Sequence, residues 1–324
     1  MMILYQFFKT IAIFQVLLYN YCNRFAVIRE REKVHYIIVN ETRLQGKSAK
    51  KLETVKAVFD TAGIKYEILT TKREGDAKSY AHEITSSGGK HVLVAMGGDG
   101  TLHDLINGFA DFDNFSMGLI PLGTGNDFAG TAKIPLDIKK AAEIIAFHAP
   151  RPIDFIELSS GLRSINAVGM GIDVDVLKRT YAGTHTKKTK YLYALIASLV
   201  NFKSYDFIIK YDGKEEKHRG LIAALGNGIQ FGGGIKICPD AKLDDGLMDM
   251  IIVDYITKPK ILPAFIKLMR GKINDIKGVT VVKTTAASFE TKSENYTIQA
   301  EGELYDNMPL DAHIVAGKLK FYLP

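Results

Sequence analysis

The chain has 324 residues, 47% of them hydrophobic and 24% charged, which leaves room for two domains with separate cores and excludes a disordered or fibrous protein. Its 42 Lys and Arg outnumber 36 Asp and Glu, for a net charge of +6, a mild basic excess that suits an acidic partner such as a nucleotide phosphate or an anionic membrane surface. With no Trp, and with 15 Tyr and 17 Phe scattered along it, the chain offers neither a stacking platform nor a long basic stripe, which excludes sequence-specific nucleic-acid binding. Of residues 1–33, the first 28 are mostly Ile, Leu, Phe, Tyr and Val, interrupted by Lys9 and Arg24, and the last five are the charged Arg29-Glu30-Arg31-Glu32-Lys33. The longest uncharged part, residues 10–23, falls short of the roughly 20 apolar residues that span a bilayer. This stretch reads as an extension outside the fold, either upstream of the true start or a peripheral membrane anchor.

From Val34 strands and helices alternate. Residues 34–39 predict a buried strand ending at Asn40. Leu52, Val55, Val58 and Phe59 form a helical stripe over 49–62, closed by Gly63. A second strand is expected at 66–69, a helix at 77–86, a third strand from His91 to Met96, a helix carrying Leu102, Leu105, Ile106 and Phe109, a fourth strand at 117–120 and a helix at 138–147. This alternation implies a parallel sheet covered on both faces, with ligands beyond the carboxyl ends of its strands. Asn40, Thr71, the turn at 97–101 and the loop at 121–127 all fall there. After Pro150 the pattern changes to short β-like runs at 153–158, 164–168, 207–211, 221–225, 248–253, 279–283, 296–299, 313–316 and 319–322, which predicts an antiparallel sandwich or barrel. Two basic amphipathic helices, 191–201 and 259–269, interrupt it and suit either a core or an anionic lipid surface. The division expected is an α/β domain at 34–150 and an all-β domain at 151–324.

The central stretch is Gly97-Gly98-Asp99-Gly100-Thr101, a glycine turn between strand and helix. In that layout backbone N–H groups and a helix N-terminus face an anion. Thr101 is expected to cap the helix, with Asp104 three residues on. A carboxylate among phosphate-facing amides makes sense if Asp99 orients a metal ion or a ribose hydroxyl. The loop Pro121-Leu122-Gly123-Thr124-Gly125-Asn126-Asp127 repeats the pattern of glycines around a hydroxyl. Cys22 and Cys238 have neither a pairing pattern nor metal-ligand spacing, which points to a reducing cytoplasm.

GGDGT at 97–101, GTGND at 123–127, GGGIKICPDAKLDDGLMD at 232–249 and AEGE at 300–303 occur in that order. Over about residues 34–324 the chain resembles the diacylglycerol kinase catalytic-domain family, in particular its bacterial soluble lipid kinases. The resemblance implies an α/β nucleotide-binding domain of the NAD-kinase and diacylglycerol-kinase type, followed by a β-sandwich, with ATP in the cleft between them. It implies that Asn40, Thr71, Gly97, Gly98, Asp99, Gly100, Thr101, Leu102, His103, Thr124, Gly125 and Asn126 line the ATP site, and that Asp99 orients a catalytic Mg2+. Asp245, with the carbonyls of Lys242 and Leu247, would hold a second, structural Mg2+. Glu303 would be the base that takes the proton from a lipid hydroxyl, most simply that of diacylglycerol. The resemblance also implies a homodimer, while the cysteines point to the cytoplasm and the two basic amphipathic helices to peripheral contact with the membrane. The alternatives are an NAD kinase, which shares the GGDGT turn, and a catalytically silent nucleotide-binding regulator at the membrane.

Three departures stand out. Leu102-His103-Asp104 replaces the family's usual Leu-Asn-Glu, Glu301-Gly302-Glu303 its Asp-Gly-Glu, and the loop at 40–47 lacks an Asn-Pro start. Taken alone, Asp244-Asp245-Gly246 would be an ordinary hairpin turn, and Glu301 and Glu303 two exposed strand carboxylates.

Overall fold

The computed structural model describes residues 33–41, 47–181, 194, 197–199, 204–291 and 296–324. The expectations for residues 1–32, for the loop at 42–46 and for most of the helix at 191–201 lie outside the described residues.

The first half runs β1 (Val34–Asn40), α1 (Lys47–Ala62), β2 (Lys65–Thr71), α2 (Asp76–Ser86), β3 (His91–Gly97), α3 (Asp99–Gly108), β4 (Phe115–Pro121), α4 (Asp127–Thr131) and α5 (Ile138–Phe147). The strands pair in parallel in the order β2, β1, β3, β4. Val92, Leu93, Val94, Ala95 and Met96 are fully buried, because helices cover both faces of a parallel sheet and leave no solvent side. The edge strand β2 instead alternates and carries exposed Lys65 and Glu67, charges that discourage edge-to-edge pairing.

The second half begins with β5 (Arg151–Leu158), β6 (Arg163–Ser164), β7 (Ala167–Gly171) and α6 (Ile172–Tyr181). It continues through β8 (Tyr205–Tyr211), β9 (Lys214–Gly226), β10 (Met248–Asp254) and α7 (Lys258–Met269). It ends with β11 (Val279–Thr284), β12 (Ala286–Thr291), β13 (Thr297–Ala300), β14 (Glu303–Asp306) and β15 (Leu310–Phe321). Apart from the parallel contact of β15 with β4, the pairings here are antiparallel. Ile156, Val168, Phe207, Met250, Phe289 and Ile298 are among the residues that fill the core between the layers.

The two halves share a ribbon. β5 pairs antiparallel with β15, and the end of β15 pairs parallel with β4 through Lys320 opposite Ser116 and Phe321 opposite Met117. Ile153, Phe155, Leu319, Phe321, Tyr322 and Leu323 therefore enter the α/β core, while Ile156, Leu158, Leu310 and Ala312 enter the sandwich core. A boundary at residue 150 divides the chain but not the packing. The ribbon's register breaks between Val315 and Leu319. There Asp154 accepts bonds from Gly317 N and Gly246 N, both at 2.7 Å, and stitches the bulge to the loop before β10.

Two helices are absent from the sequence expectations. α4 has five residues, too few for a periodic pattern. α6 carries Asp173 and Asp175 in its first turn and Lys178 and Arg179 in its last, the charge order that complements a helix dipole.

Candidate active site

Strand register sets the rim of the site. Asn40 lies opposite Thr71, Val39 opposite Met96 and Gly97 opposite Pro121, so the carboxyl ends of the four parallel strands reach one level. Thr71 is buried and Asn40 exposed. The two glycine-rich turns that leave this rim meet back to back. A Cβ on Gly98 would stand 2.9 Å from Gly123 Cα, and one on Gly123 2.6 Å from Gly98 Cα. Leu122 N donates to Gly97 O at 2.7 Å across the same junction. Only glycine permits backbones to approach this closely, and the result is a cradle walled by main chain.

The helix begins earlier than the sequence suggests. Gly98, extended at φ −111° and ψ −164°, is the N-cap, and Asp99 is the first helical residue. Thr101 is therefore inside the first turn and does not cap it; no side-chain cap bond forms at Gly98. Its Oγ1 would lie 2.2 Å from a Cβ on Gly97, so the hydroxyl rests over the preceding glycine. Leu102 is buried and its N–H is spent on Gly98 O at 3.2 Å. The N–H groups of Asp99, Gly100 and Thr101 have no acceptor within the helix, and such a terminus draws an anion.

Asp99 is held from the other turn. Its Oδ2 accepts from Asp127 N and its Oδ1 from Phe128 N, both at 3.1 Å, at the start of α4. Asp127 in turn accepts from Gly233 N at 2.8 Å and Gly234 N at 2.7 Å. Burial and the neighbouring Asp99 raise the Asp127 pKa, and the two glycine amides pull it back down. Gly232, Gly233 and Gly234 all have positive φ, from 68° to 104°, which lets their loop curl around the carboxylate. Asp127 thus clamps the α/β half to the sandwich. Thr124 is exposed at the tip of the loop, Gly125 packs beneath Asp99, and left-handed Asn126 turns its Nδ2 back to Gly123 O at 2.9 Å.

The sandwich contributes a hairpin. Ala300 pairs with Glu303 across a two-residue turn in which Glu301 (φ 53°) and Gly302 (φ 86°) both have positive φ, the conformation that matches the twist of adjoining strands. Glu301 adopts it with a carboxylate enclosed by protein. Its Oε1 accepts from Ser164 Oγ at 2.5 Å and Asn166 N at 2.6 Å. Burial pushes the Glu301 pKa up to about 7 against the pull of those bonds. The anchored hairpin presents Glu303 to the glycine turn: Glu303 Oε1 would lie 3.9 Å from a Cβ on Gly100. Burial, then the Glu74 and Asp104 carboxylates, raise the Glu303 pKa.

His103 faces this hairpin. It is 4% exposed, and its Nε2 shares a 2.6 Å hydrogen bond with the Tyr305 hydroxyl. Burial lowers its pKa to about 4, so the ring is neutral, and burial raises that of Tyr305 to about 12. Asn107 ties His103 O to Arg163 O through one amide nitrogen, at 2.9 Å each.

Asp245, Lys242 and Leu247 lie in the loop before β10. Asp245 Oδ1 accepts from Leu247 N at 3.1 Å, and its Oδ2 lies 3.1 Å from Lys283 Nζ. The structure therefore gathers Asp99, Gly100, Asp127 and Glu303 at one junction, with the glycine cradle beside them. Asp127, Asp154, Tyr305 and Lys283 carry positions that sequence reasoning leaves unassigned; the run of three glycines at 232–234 is the one local signal for the Asp127 clamp.

Residues 35–158 match the diacylglycerol kinase catalytic domain family, and residues 166–323 match the YegS C-terminal NAD kinase beta sandwich-like domain. A protein of Xanthomonas campestris pv. campestris named "Probable lipid kinase YegS-like" is 32% identical over 295 residues, 87% of this chain and 94% of its own. One of the same name from Xanthomonas euvesicatoria pv. vesicatoria is 29% identical over 301 residues, again 87% of this chain and 94% of its own. The crystal structure of a diacylglycerol kinase from Bacillus anthracis str. Sterne superposes with a TM-score of 0.71 at 24% identity, covering 90% of this chain and 97% of that one.

Proposed function

The chain belongs to the diacylglycerol kinase catalytic-domain family of lipid kinases, and on that premise we propose that it transfers the γ-phosphoryl group of ATP to the free hydroxyl of diacylglycerol. The reading rests above all on the approach of Glu303 to Gly100, which sets a carboxylate beside the turn that suits a phosphate.

The residues fit both nucleotide and metal. The cradle between Gly98 and Gly123 is one that a Cβ would fill, and Asp99 is a carboxylate held rigid by two amides, a hard oxygen donor of the kind Mg2+ takes. When bound, the ion would supply charge neutralisation on the transferred phosphoryl group. The first-turn amides of α3 orient and stabilise phosphate oxygens, backbone dipoles that need no reorganisation during the reaction. Glu303 takes the proton of the acceptor hydroxyl as that oxygen bonds to phosphorus and the bond to the ADP oxygen breaks. A base with a raised pKa holds the proton more readily, which suits this task. The products are ADP and phosphatidic acid.

A cavity in the sandwich half supports a lipid acceptor. Its space is ≈ 780 Å³, part of it open to solvent, with Ile222, Phe231, Ile237, Ile256, Leu268 and Ile276 in its lining. Asp173 is the one ionisable lining residue among those described, and burial pushes its pKa up to about 7; the rest of the lining is apolar or aromatic and suits an acyl chain. Asp173 lies two residues past the end of β7, which pairs with β13 of the Glu303 hairpin. Beside the cavity α7 turns Ile261, Ala264 and Leu268 inward and leaves Lys260, Ile266 and Arg270 exposed. That surface suits the interface of an anionic bilayer. No described helix is long and apolar enough to cross a membrane.

The test is transfer of labelled phosphate from ATP, with Mg2+, to diacylglycerol, phosphatidylglycerol, a long-chain amino alcohol and NAD offered in parallel. Labelled phosphatidic acid is expected. Labelled NAD, or no labelled lipid, contradicts the reading.

A further inference from the structure

We propose that the loop carrying Asp245 is clasped to the sandwich by the ammonium of Lys283, which stands where the family pattern leads one to expect a second magnesium ion.

The position of Lys283 is set by the sheet. It lies directly opposite Asp249 in the antiparallel pairing of β10 with β11. Asp249 is 2% exposed, and a buried carboxylate needs a partner of opposite charge. Lys283 Nζ supplies it at 3.2 Å from Asp249 Oδ2, and reaches on to Asp245 Oδ2 at 3.1 Å. The ammonium therefore bridges two carboxylates, one from the strand and one from the loop.

The expected magnesium ligands do not fit this arrangement. Asp245 is the one carboxylate among Lys242, Asp245 and Leu247, and its Oδ2 already faces a cation, the Lys283 ammonium at 3.1 Å. Magnesium binds oxygens at roughly 2.1 Å in near-octahedral geometry and keeps several waters. An ammonium on the same oxygen fills part of that shell and repels the divalent ion. Drawing Lys283 away would also strip Asp249 of its counter-charge.

The loop has other supports that need no metal. Gly246 N donates to Asp154 Oδ2 at 2.7 Å, and Asp154 N donates to Leu243 O at 2.6 Å. Lys283 adds a contact that joins this loop to β11 by charge, a fixed internal cation in place of an exchangeable one.

Thermal unfolding of the nucleotide-free protein tests the proposal without reference to kinase activity. Melting is followed in EDTA and in rising millimolar Mg2+, for wild type, Lys283→Met and Asp245→Asn. Wild type is expected to melt at the same temperature throughout, and Lys283→Met to melt several degrees lower in EDTA. The proposal is overturned if Mg2+ raises the wild-type melting temperature by several degrees and Asp245→Asn loses that gain, as a bound structural ion requires. It is equally overturned if Lys283→Met is as stable as wild type. Should Lys283→Met fail to fold, wild type and Asp245→Asn decide the matter between them.

Discussion

Glu303 Oε1 lies 3.9 Å from the point where a Cβ on Gly100 would sit, although 203 residues separate the two positions in sequence. The space beside Gly100 is where a nucleotide's terminal phosphate and an acceptor hydroxyl would have to meet. Replacing two glycines of this one turn should therefore have different consequences for binding and for rate. In Gly98→Ala the new Cβ meets the Gly123 backbone at 2.9 Å, so the turns must part. ATP affinity should fall by about tenfold or more, the loss of roughly one well-made contact. Gly100→Ala meets only a side-chain oxygen at ordinary contact distance, and alanine suits a helix better than glycine. It should fold and bind ATP but turn over slowly. Calorimetric titration of ATP alongside steady-state rates separates the two.

The carboxylates around Glu303 give a pH prediction. Burial, Glu74 and Asp104 all raise its pKa, and a base is active only when deprotonated. Activity should therefore fall on the acid side at a higher pH than an ordinary glutamate would impose. Glu74→Gln and Asp104→Asn each remove a like charge and should move that limb to lower pH. The pH dependence of kcat/KM, which reports the free enzyme, measures the shift.

The His103–Tyr305 bond joins the helix behind the glycine turn to the strand that carries Glu303. Tyr305→Phe leaves a buried ring nitrogen of His103 unpaired, at a cost of about 1–3 kcal/mol. The hairpin should loosen against α3, lowering kcat several-fold with little change in the KM for ATP. The double change of Tyr305→Phe with His103→Leu removes both polar partners and should recover much of the stability. Chemical denaturation and steady-state kinetics on the three proteins check both parts.

Glu301 adds a dependence of stability on pH. Its folded pKa of about 7 exceeds the usual glutamate value, so between those two pH values the folded chain holds a proton that the unfolded chain has lost. Its effect is to make folding less favourable as pH rises through that window, at a limiting slope of about 1.4 kcal/mol per pH unit. Glu301→Gln keeps the accepting Oε1 and removes the titration. Denaturant midpoints at pH 5 and pH 8 should show the variant less sensitive to alkali than wild type.

Much of this arrangement could be read from residues that act locally. The central strand β3 is a continuous apolar run because both faces of the sheet are covered, and the glycines that follow β3 and β4 mark the rim. Glu301, read alone as an exposed strand carboxylate, instead forms a two-residue turn with Gly302, a placement that the residues by themselves did not show. The start of α3 was harder, because Thr101 has the chemistry of a cap while Gly98, with no side chain to show, supplies the turn. The clamps were not legible. Asp127 meets its amide partners 106 and 107 residues away, and Asp154 one of its own 163 residues away. The return of β15 to β4 is likewise a long-range pairing that no window of sequence contains. His103 and Lys283 look like surface-compatible polar residues until the fold supplies Tyr305 and Asp249.

The most direct measurement is the rate of phosphoryl transfer to diacylglycerol by Glu303→Gln, with ATP affinity determined on the same preparation. The side chain keeps its size and loses its basicity. A fall in kcat of about 10²-fold or more, with ATP affinity essentially unchanged, is the result predicted for a carboxylate that deprotonates the acceptor beside the Gly100 turn. A variant that turns over at close to the wild-type rate would contradict that role, and with it the placement of the reaction at this junction.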